Sequence, residues 1–285
     1  MTGPERGFLL LRSSLGDPNR KPLTQAQLRN LERIVRNSEQ DDPDRELTAA
    51  DLWNLGCTLR EAQHIVRLLS EEKKLDAYLS WGAQRGCAPV TRATPGYPRR
   101  VLECLKEEAP GCLWAKGDLS LLKMEKIALV GSRDLRIPNA FFAQKVGRLA
   151  AELGIVLVSG NARGADTVAQ DACLAAGGKV ISVVADCLHR HPEKENVLYL
   201  SEESFEADFS AQRALSRNRV IHTLAPVVYV AQCTYHKGGT WEGTKQNLEN
   251  RWSSVICFDD GTPSMAELAA LGAERIDAPH DTFPG

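Results

Sequence analysis

Two arginines that follow turns of small residues, at the ends of predicted strands, are the side chains best placed for chemistry. Arg133 closes a glycine-serine turn over residues 131–133, and Arg163 lies in a similar segment, residues 159–166. A guanidinium offers a phosphate a bidentate fork, and the backbone N–H groups of such turns can hold the remaining oxygens. The pattern therefore indicates anion binding, with a pairing to a surface carboxylate as the alternative for Arg133.

Two later segments carry the same kind of chemistry. Arg217 and Arg219 lie two positions apart on a predicted helix, so only one of them can face a ligand while the other braces the fold, and Arg217 is chosen for the ligand. Residues 237–244 follow a strand and open a helix, which is an anion-binding arrangement. Trp241 in this loop either stacks on a base or lies buried.

The sequence supports no metal site and no catalytic residue. The histidines at positions 189, 191, 222 and 236 lack the spacing of metal ligands. Asp166 is interpreted as a helix N-cap or as the partner of Arg163, and no cofactor is assigned. The residues assigned to phosphate or nucleic-acid binding are Gly131, Ser132, Arg133, Ser159, Gly160, Arg163, Arg217, Asn218, Lys237, Gly238, Gly239 and Thr240.

A parallel sheet is the element that must position these residues. Two short apolar runs, 126–130 and 155–158, flank an amphipathic helix from about 138 to 153, which predicts a βαβ unit. Parallel strands end at one edge of a sheet, so Arg133 and Arg163 are expected to face one crevice. An edge strand is predicted at 112–115 and further strands at 179–184, 226–231, 254–258 and 275–276, and residues 185–219 are read as a polar loop followed by a helix. The predicted fold is α/β, a Rossmann-like, mostly parallel sheet with helices on both faces.

The N-terminal third predicts a small all-α domain. Residues 1–22 are expected to form a mobile arm or an added edge strand, and a helix follows over 24–37. The acidic segment 39–46 is interpreted as a linker, and Thr48 and Thr58 each begin a capping-box pattern. Gly56 ends the first of these two helices; a helix-hairpin-helix DNA contact at residues 55–57 is the alternative. The predicted division is an arm over 1–22, a helical domain over 23–92 and the sheet domain over 93–285.

The amino-acid composition limits the classes of protein to which the chain can belong. The chain has 285 residues, 43% hydrophobic and 25% charged, and a formal net charge of −2. Any nucleic-acid site must therefore be a local basic patch whose binding depends on salt. Eight cysteines without close pairs are expected to be buried free thiols. No signal peptide or apolar run of about 18 residues is found, which predicts a cytoplasmic protein without a membrane anchor.

Several blocks of the sequence resemble the DNA-processing protein A (DprA/Smf) family, and the resemblance covers about residues 95–258. Such proteins have a Rossmann-like domain, shared with cytokinin-activating phosphoribohydrolases, behind a helical domain similar to a sterile alpha motif. The resemblance implies non-catalytic binding of single-stranded DNA, a homodimer through the Rossmann domain and loading of the recombinase RecA. Many members add a C-terminal winged helix, and this chain is expected to lack one. The matching blocks are Tyr97-Pro98, Trp114–Asp118, Val130–Arg133, Ser159–Asp166, Arg217–Ile221 and Lys237–Thr244.

Two alternative functions stay open. The phosphohydrolase branch of the superfamily needs Gly-Gly-x-Gly-Thr-x-x-Glu, but here two extra residues separate the glycine pair from Gly243, and Asn247 replaces the glutamate. A hydrolase of the N-glycosidic bond of a nucleotide would have to rely on Glu242 or Asp166. The other alternative is an antitoxin or immunity protein that binds a toxin-like enzyme, as in phage defence.

Overall fold

The computed structural model describes residues 1–36, 47–202 and 204–277, which form two compact units. The first unit comprises Met1–Arg85 and Thr91–Tyr97, within the described ranges, and the second comprises Gly86–Val90 and the described residues from Pro98 onward. The chain passes between the two units three times, after Arg85, after Val90 and after Tyr97. Among the described residues, none of the helices combines the length and the apolar character needed to cross a membrane.

The first unit is built from short helices with side-chain caps. Thr48 and Asp51 form the predicted capping box, and so do Thr58 and Glu61. Their apolar faces meet in a core that includes Leu31, Leu52, Ile65 and Leu68. The helices are α1 (Gly3–Arg12), α2 (Gln25–Arg36), α3 (Ala49–Asn54), α4 (Leu59–Leu69) and α5 (Glu72–Ala83).

The prediction of an arm or edge strand over residues 1–22 was wrong, because α1 begins at Gly3. A capping box between Thr2 and Glu5 starts this helix, with a proline in its first turn. Leu9 and Leu10 are buried, so the apolar patch that suggested a strand is a helical face instead. The segment 39–46, interpreted as a linker, lies outside the described residues.

The second unit is organised around a nine-stranded sheet. Its order is β1-β2-β6-β5-β4-β3-β7-β8-β9, parallel from β6 to β9, with β2 antiparallel to β6. The predicted α/β fold with a mostly parallel sheet, preceded by a helical region, is confirmed. The strands are β1 (Cys87–Thr91), β2 (Cys112–Lys116), β3 (Lys126–Val130), β4 (Val156–Ser159), β5 (Lys179–Val184), β6 (Val197–Glu202), β7 (Val227–Val230), β8 (Ser254–Phe258) and β9 (Glu274–Ile276).

Two strands, β1 and β6, were missed by the sequence analysis, and β2, predicted as an edge strand, lies between them in the sheet. β6 lies in the stretch that had been read as a polar loop followed by a helix. Its apolar run from Val197 to Leu200 is short, and polar residues surround it. It pairs with β5 on one side and with β2 on the other, so the interior of the sheet supplies the stabilisation that its local sequence does not indicate.

The order of the strands reverses beside β3. The chain runs from β3 outward to β6, then returns to place β7 on the other side of β3. Because crossovers between parallel strands are right-handed, α7 and α8 cover one face while α9 and α10 cover the other. Ligands of such sheets bind beyond the carboxyl ends of the strands where the order reverses. The helices of this unit are α6 (Arg99–Leu105), α7 (Ile137–Glu152), α8 (Ala165–Ala175), α9 (Ala211–Leu224), α10 (Gly238–Asn250) and α11 (Pro263–Ala270).

Candidate nucleic-acid interface

A cavity of about 560 Å³ lies at the carboxyl ends of β3 and β7, and we call it the crevice. The turn after β3, one face of α9 and the first turn of α10 line it. Nine of the twelve residues assigned from the sequence belong to its lining. Its position is the one that the reversal of strand order favours for a ligand.

The turn after β3 brings one cation to the crevice. A Cβ on Gly131 would lie 2.4 Å from the Cβ of Ala165, so only glycine lets the turn pack against the start of α8. Ser132 accepts the Ala165 N–H at 3.1 Å through its carbonyl, and its own N–H donates to the Gln232 carbonyl at 2.8 Å. Arg133 is exposed and makes no hydrogen bond or ion pair with any residue that the structure describes. Its guanidinium is therefore available to an anion.

Arg217 forms part of the floor of the crevice. The Ser210 side chain caps α9, and Arg217 lies two turns into that helix with only 8% of the residue exposed. Its guanidinium lies over Gly160, where a Cβ would come within 1.4 Å of Nη1. Within the described ranges, Arg217 makes no hydrogen bond and no ion pair. Burial lowers its pKa, and the nearby charge of Arg133 adds to that effect, while Asp166 opposes it.

The neighbours of Arg217 on α9 have other roles. Asn218 lines the crevice and donates from Nδ2 to the Gly239 carbonyl at 3.0 Å, which ties α9 to the start of α10. Arg219 donates to Ser216 Oγ at 3.1 Å, and its guanidinium lies 3.9 Å from the Glu108 carboxylate. Arg219 does not line the crevice, so the two arginines of this block are divided between the crevice and the fold.

Asp166 is neither the N-cap of α8 nor the partner of Arg163. Gly164 holds the N-cap position, and the Asp166 carboxylate accepts the N–H of Ala162 at 3.1 Å on the floor of the crevice. Burial raises the pKa of this carboxyl, and the charge of Arg217 opposes the rise. Asp166 is the only carboxylate in the lining that the structure describes.

Three assigned residues lie outside the crevice lining. Ser159 is fully buried, and its Oγ accepts from the side chain of Gln170. Gly160 lies underneath the guanidinium of Arg217. The expectation that Arg163 faces the crevice with Arg133 was wrong, because its exposed guanidinium pairs with exposed Asp134 at 2.6 Å. The backbone turns between β4 and α8, with φ of +58° at Asn161 and +90° at Gly164, and carries Arg163 away from the crevice.

The first turn of α10 closes another side of the crevice. The helix begins at Gly238, so its first N–H groups and their partial positive charge face the crevice. Thr240 donates from Oγ1 to the Gly131 carbonyl at 3.0 Å. Lys237 is exposed and makes no hydrogen bond or ion pair through its side chain within the described part of the chain. Trp241 is 3% exposed, so of the two alternatives, stacking on a base or burial, the structure shows burial.

The sequence analysis did not identify the apolar wall of the crevice. Phe209, 57% exposed, and Leu215, 50% exposed, lie beside Ala211 and Ala214. The spacing of positions 211, 214, 215, 218 and 222 marks a single face of α9, so helical periodicity could have identified most of this wall. Phe209 precedes the helix and gave no such signal.

His222 is a further member of the lining, and it is fully buried. Burial lowers its pKa to about 3, and the charge of Arg217 contributes, so the imidazole is neutral near pH 7. Asn247 accepts the Ser253 N–H through Oδ1, so its Nδ2 is the donor that lies 3.0 Å from Nδ1 of His222. His222 therefore adds no positive charge. No group of three or more His, Cys, Asp or Glu residues in the described ranges could hold a metal ion.

Comparisons with known proteins identify the family of the chain. The family model for DNA recombination-mediator protein A matches residues 88–264. Protein Smf of Escherichia coli is 28% identical over 207 residues, which make up 67% of this chain and 53% of that protein. The DNA processing protein DprA of Bacillus subtilis is 31% identical over 227 residues, 74% of this chain and 75% of that protein.

Solved structures give the same result. DprA from Streptococcus pneumoniae superposes with a TM-score of 0.74 at 27% identity, covering 99% of this chain and 97% of that one. DprA from Helicobacter pylori has a TM-score of 0.57 at 22% identity, covering 67% of this chain and 91% of that one, and shows the shared fold. The resemblance found in the sequence is confirmed: the chain belongs to the DNA recombination-mediator protein A family, the DprA/Smf family.

Proposed function

We propose that the crevice binds single-stranded DNA through its phosphates, in a protein that processes DNA without a catalytic step. The observation that carries the proposal is Arg217, which is 8% exposed and makes no hydrogen bond or ion pair within the described residues. Removing an ion from water costs several kcal/mol, roughly, unless a counter-charge compensates it. Asp166 is the nearby counter-charge on the floor of the crevice, and a phosphate adds a second one that can also accept hydrogen bonds from the guanidinium.

The electrostatics of the crevice support the same ligand. Arg133, Arg217 and Lys237 line it against one carboxylate, Asp166, in a chain whose formal net charge is −2. The N-terminal end of α10 adds partial positive charge. Binding through about three phosphates predicts a slope of log affinity against log salt near −2, from about −0.7 per phosphate of a single strand.

The apolar wall supports a single strand over a duplex. Exposed Phe209 and Leu215 offer apolar surface beside the cations. A single strand can turn its bases toward such surface, whereas a duplex keeps them stacked inside and presents mainly its phosphates. The Helicobacter pylori protein of the same fold is described as binding single-stranded DNA.

The alternatives drawn from the sequence gain no support from the family match. Glu242 is exposed and outside the crevice lining, which leaves Asp166 as the carboxylate within reach of a nucleotide there. Incubation of the pure protein with nucleoside monophosphates, followed by chromatography, tests the hydrolase. Release of free base would replace the non-catalytic proposal.

Three further expectations follow from the family resemblance, and we include them in the proposal. The protein would form a homodimer through the sheet unit, cooperate with RecA and work in the cytoplasm. An antitoxin role or a role in phage defence is not proposed, because neither the crevice nor the family match favours it.

The test of the proposed function is fluorescence anisotropy with a labelled single strand and the matching duplex over a salt series. We expect tighter binding of the single strand and a steep loss of affinity with salt. Arg133→Ala removes a charge-assisted contact worth about 1.5–3 kcal/mol, which lowers affinity at least tenfold. Arg163→Ala is the matched control, because that arginine is exposed but lies outside the crevice lining. An affinity that does not depend on salt concentration would contradict the phosphate model, and so would equal losses of affinity in Arg133→Ala and Arg163→Ala.

A further inference from the structure

A turn at the edge of the crevice carries two aromatic rings at its tip. Residues Thr234 to Lys237 connect β7 to α10, and the turn is closed by the Lys237 N–H, which donates to the Thr234 carbonyl at 3.1 Å. Tyr235 and His236 are its two central residues, and His236 has a φ of +53°. The residues at both ends of the turn, Thr234 and Lys237, line the crevice.

The two rings are held in place although they are exposed. Their centroids lie 4.1 Å apart with 23° between their planes, and buried Trp241 lies against both. Nε2 of His236 lies 2.9 and 3.0 Å from the two carboxylate oxygens of Glu267, on α11. Interaction with the Glu267 carboxylate also raises the pKa of the Tyr235 phenol. The ring contacts with His236 and Trp241 hold the Tyr235 side chain, and the contact with Glu267 holds His236.

Tyr235 nevertheless remains 49% exposed. A protein that fixes an aromatic ring at its surface has already lost the rotamer freedom that binding would otherwise remove. Aromatic side chains beside a cationic groove are the means by which single-strand binders hold successive bases. Tyr235 lies two residues from Lys237, so their Cα atoms are within about 7 Å of each other.

We propose that the exposed ring of Tyr235 is a stacking site for a nucleobase of single-stranded DNA, next to the nucleotide whose phosphate lies in the crevice. This inference rests on the proposed function and adds a contact to a base that the phosphate contacts do not require. It also gives the turn over residues 234–237 a role of its own, distinct from that of buried Trp241. The ligand chemistry is a planar base, without readout of its hydrogen-bonding edge.

The experiment compares Tyr235→Ala and Tyr235→Leu with Tyr235→Phe on two labelled oligonucleotides. One is an oligothymidine, and the other has the same number of phosphates but abasic residues throughout. We expect the Ala and Leu variants to bind oligothymidine about 5- to 160-fold more weakly, the range for loss of one base stack. Tyr235→Phe keeps the ring and loses only the hydroxyl, so we expect it to stay within about threefold of the wild type.

Further readouts separate stacking from a structural role. We expect the abasic oligonucleotide to bind the wild type and all three variants alike, with an unchanged salt slope, because the number of phosphate contacts is the same. An equal loss on both oligonucleotides would assign the aromatic pair to positioning of Lys237 and overturn the inference.

Wild-type affinity for both oligonucleotides distinguishes this inference from the proposed function. Equal wild-type affinity for the two would overturn the stacking site while leaving the phosphate crevice intact. If the wild type bound neither oligonucleotide, the result would overturn both the stacking site and the phosphate crevice. Melting temperatures of the variants confirm that they are folded, and Tyr235→Leu retains apolar volume in case Tyr235→Ala melts early.

Discussion

Each unit of the chain buries an arginine, and the two differ in what surrounds the guanidinium. In the helical unit, the Arg20 side chain is 3% exposed, lies 2.7 Å from the Glu71 carboxylate and donates to the carbonyls of Leu10 and Ser13. In the sheet unit, Arg217 is about equally buried but makes no hydrogen bond or ion pair with the residues described. Burial alone therefore does not reveal what an arginine does.

Helix α9 shows the same contrast within two turns. Arg213, four residues before Arg217, donates to the carbonyls of Ala185 and Ala207 at 3.0 and 2.6 Å and to Ser201 Oγ at 2.9 Å. An arginine whose donors are used inside the fold contributes to stability. Arg20 and Arg213 are of this kind, whereas we propose that Arg217, which is buried without such partners among the described residues, binds a ligand.

The largest effect is expected at Arg20. Replacing it with Met leaves the Glu71 carboxylate and two carbonyls without this donor, and breaking a buried pair costs about 3–5 kcal/mol. The expected result is a fall of that size in the free energy of unfolding of the helical unit, measured by denaturant titration. Lys74 also pairs with Glu71, so values near the lower end are expected. If the free energy of unfolding fell by less than about 1 kcal/mol, Arg20 would not be a stabilising arginine.

His222 is a buried group that, unlike the two buried arginines, is neutral at pH 7. Its pKa of about 3 in the folded protein lies below the ordinary value of 6.5, so only the unfolded chain binds this proton in between. Above pH 6.5 the histidine is neutral in both states and does not affect the free energy of unfolding. As the pH falls from 6.5 toward 3, proton binding favours the unfolded chain, and the free energy of unfolding is about 2 kcal/mol lower at pH 5. His222→Gln should remove that part of the pH dependence of unfolding. An unchanged profile would show that His222 protonates freely in the folded state.

A smaller effect is expected when Arg217 is displaced without a change of charge. The added Cβ of Gly160→Ala would occupy the position of the guanidinium, 1.4 Å from Nη1. We expect affinity for single-stranded DNA to fall about tenfold, equivalent to about 1.4 kcal/mol. Gly7→Ala is the control, because a Cβ there meets nothing within 4 Å. Equal affinities would mean that the position of this guanidinium does not matter for binding.

The fold could be predicted from the sequence where local signals and tertiary packing agree. The strands of the βαβ unit are continuous apolar runs, and the threonine caps at positions 48 and 58 place two helices correctly. The predictions were wrong where a local pattern had two solutions. The apolar patch around Leu9 fits a strand or a helix, and β6 is a short run whose pairing partners lie far away in sequence.

The location of the site could be predicted from the sequence, but the directions and the burial of its side chains could be predicted only in part. Turns after β3 and β7 had to meet at one edge of a parallel sheet, which placed Arg133 and Lys237. The direction of a side chain after a turn depends on backbone angles that the sequence does not specify, and Arg163 is the example. Burial of Trp241 and Arg217 depends on the packing of α9 against α10, which no single segment encodes.

Arg217→Met, measured together with Arg163→Ala, tests whether Arg217 binds the DNA or supports the fold. Arg217 makes no hydrogen bond or ion pair with the described residues, so its replacement by methionine breaks no such pair and removes the cost of burying the charge. The account therefore predicts a melting temperature equal to or above that of the wild type, together with a loss of affinity for single-stranded DNA of at least tenfold. It also predicts a salt slope reduced by about 0.7, for one phosphate contact fewer. Early melting with normal affinity would show that Arg217 supports the fold and would contradict the account.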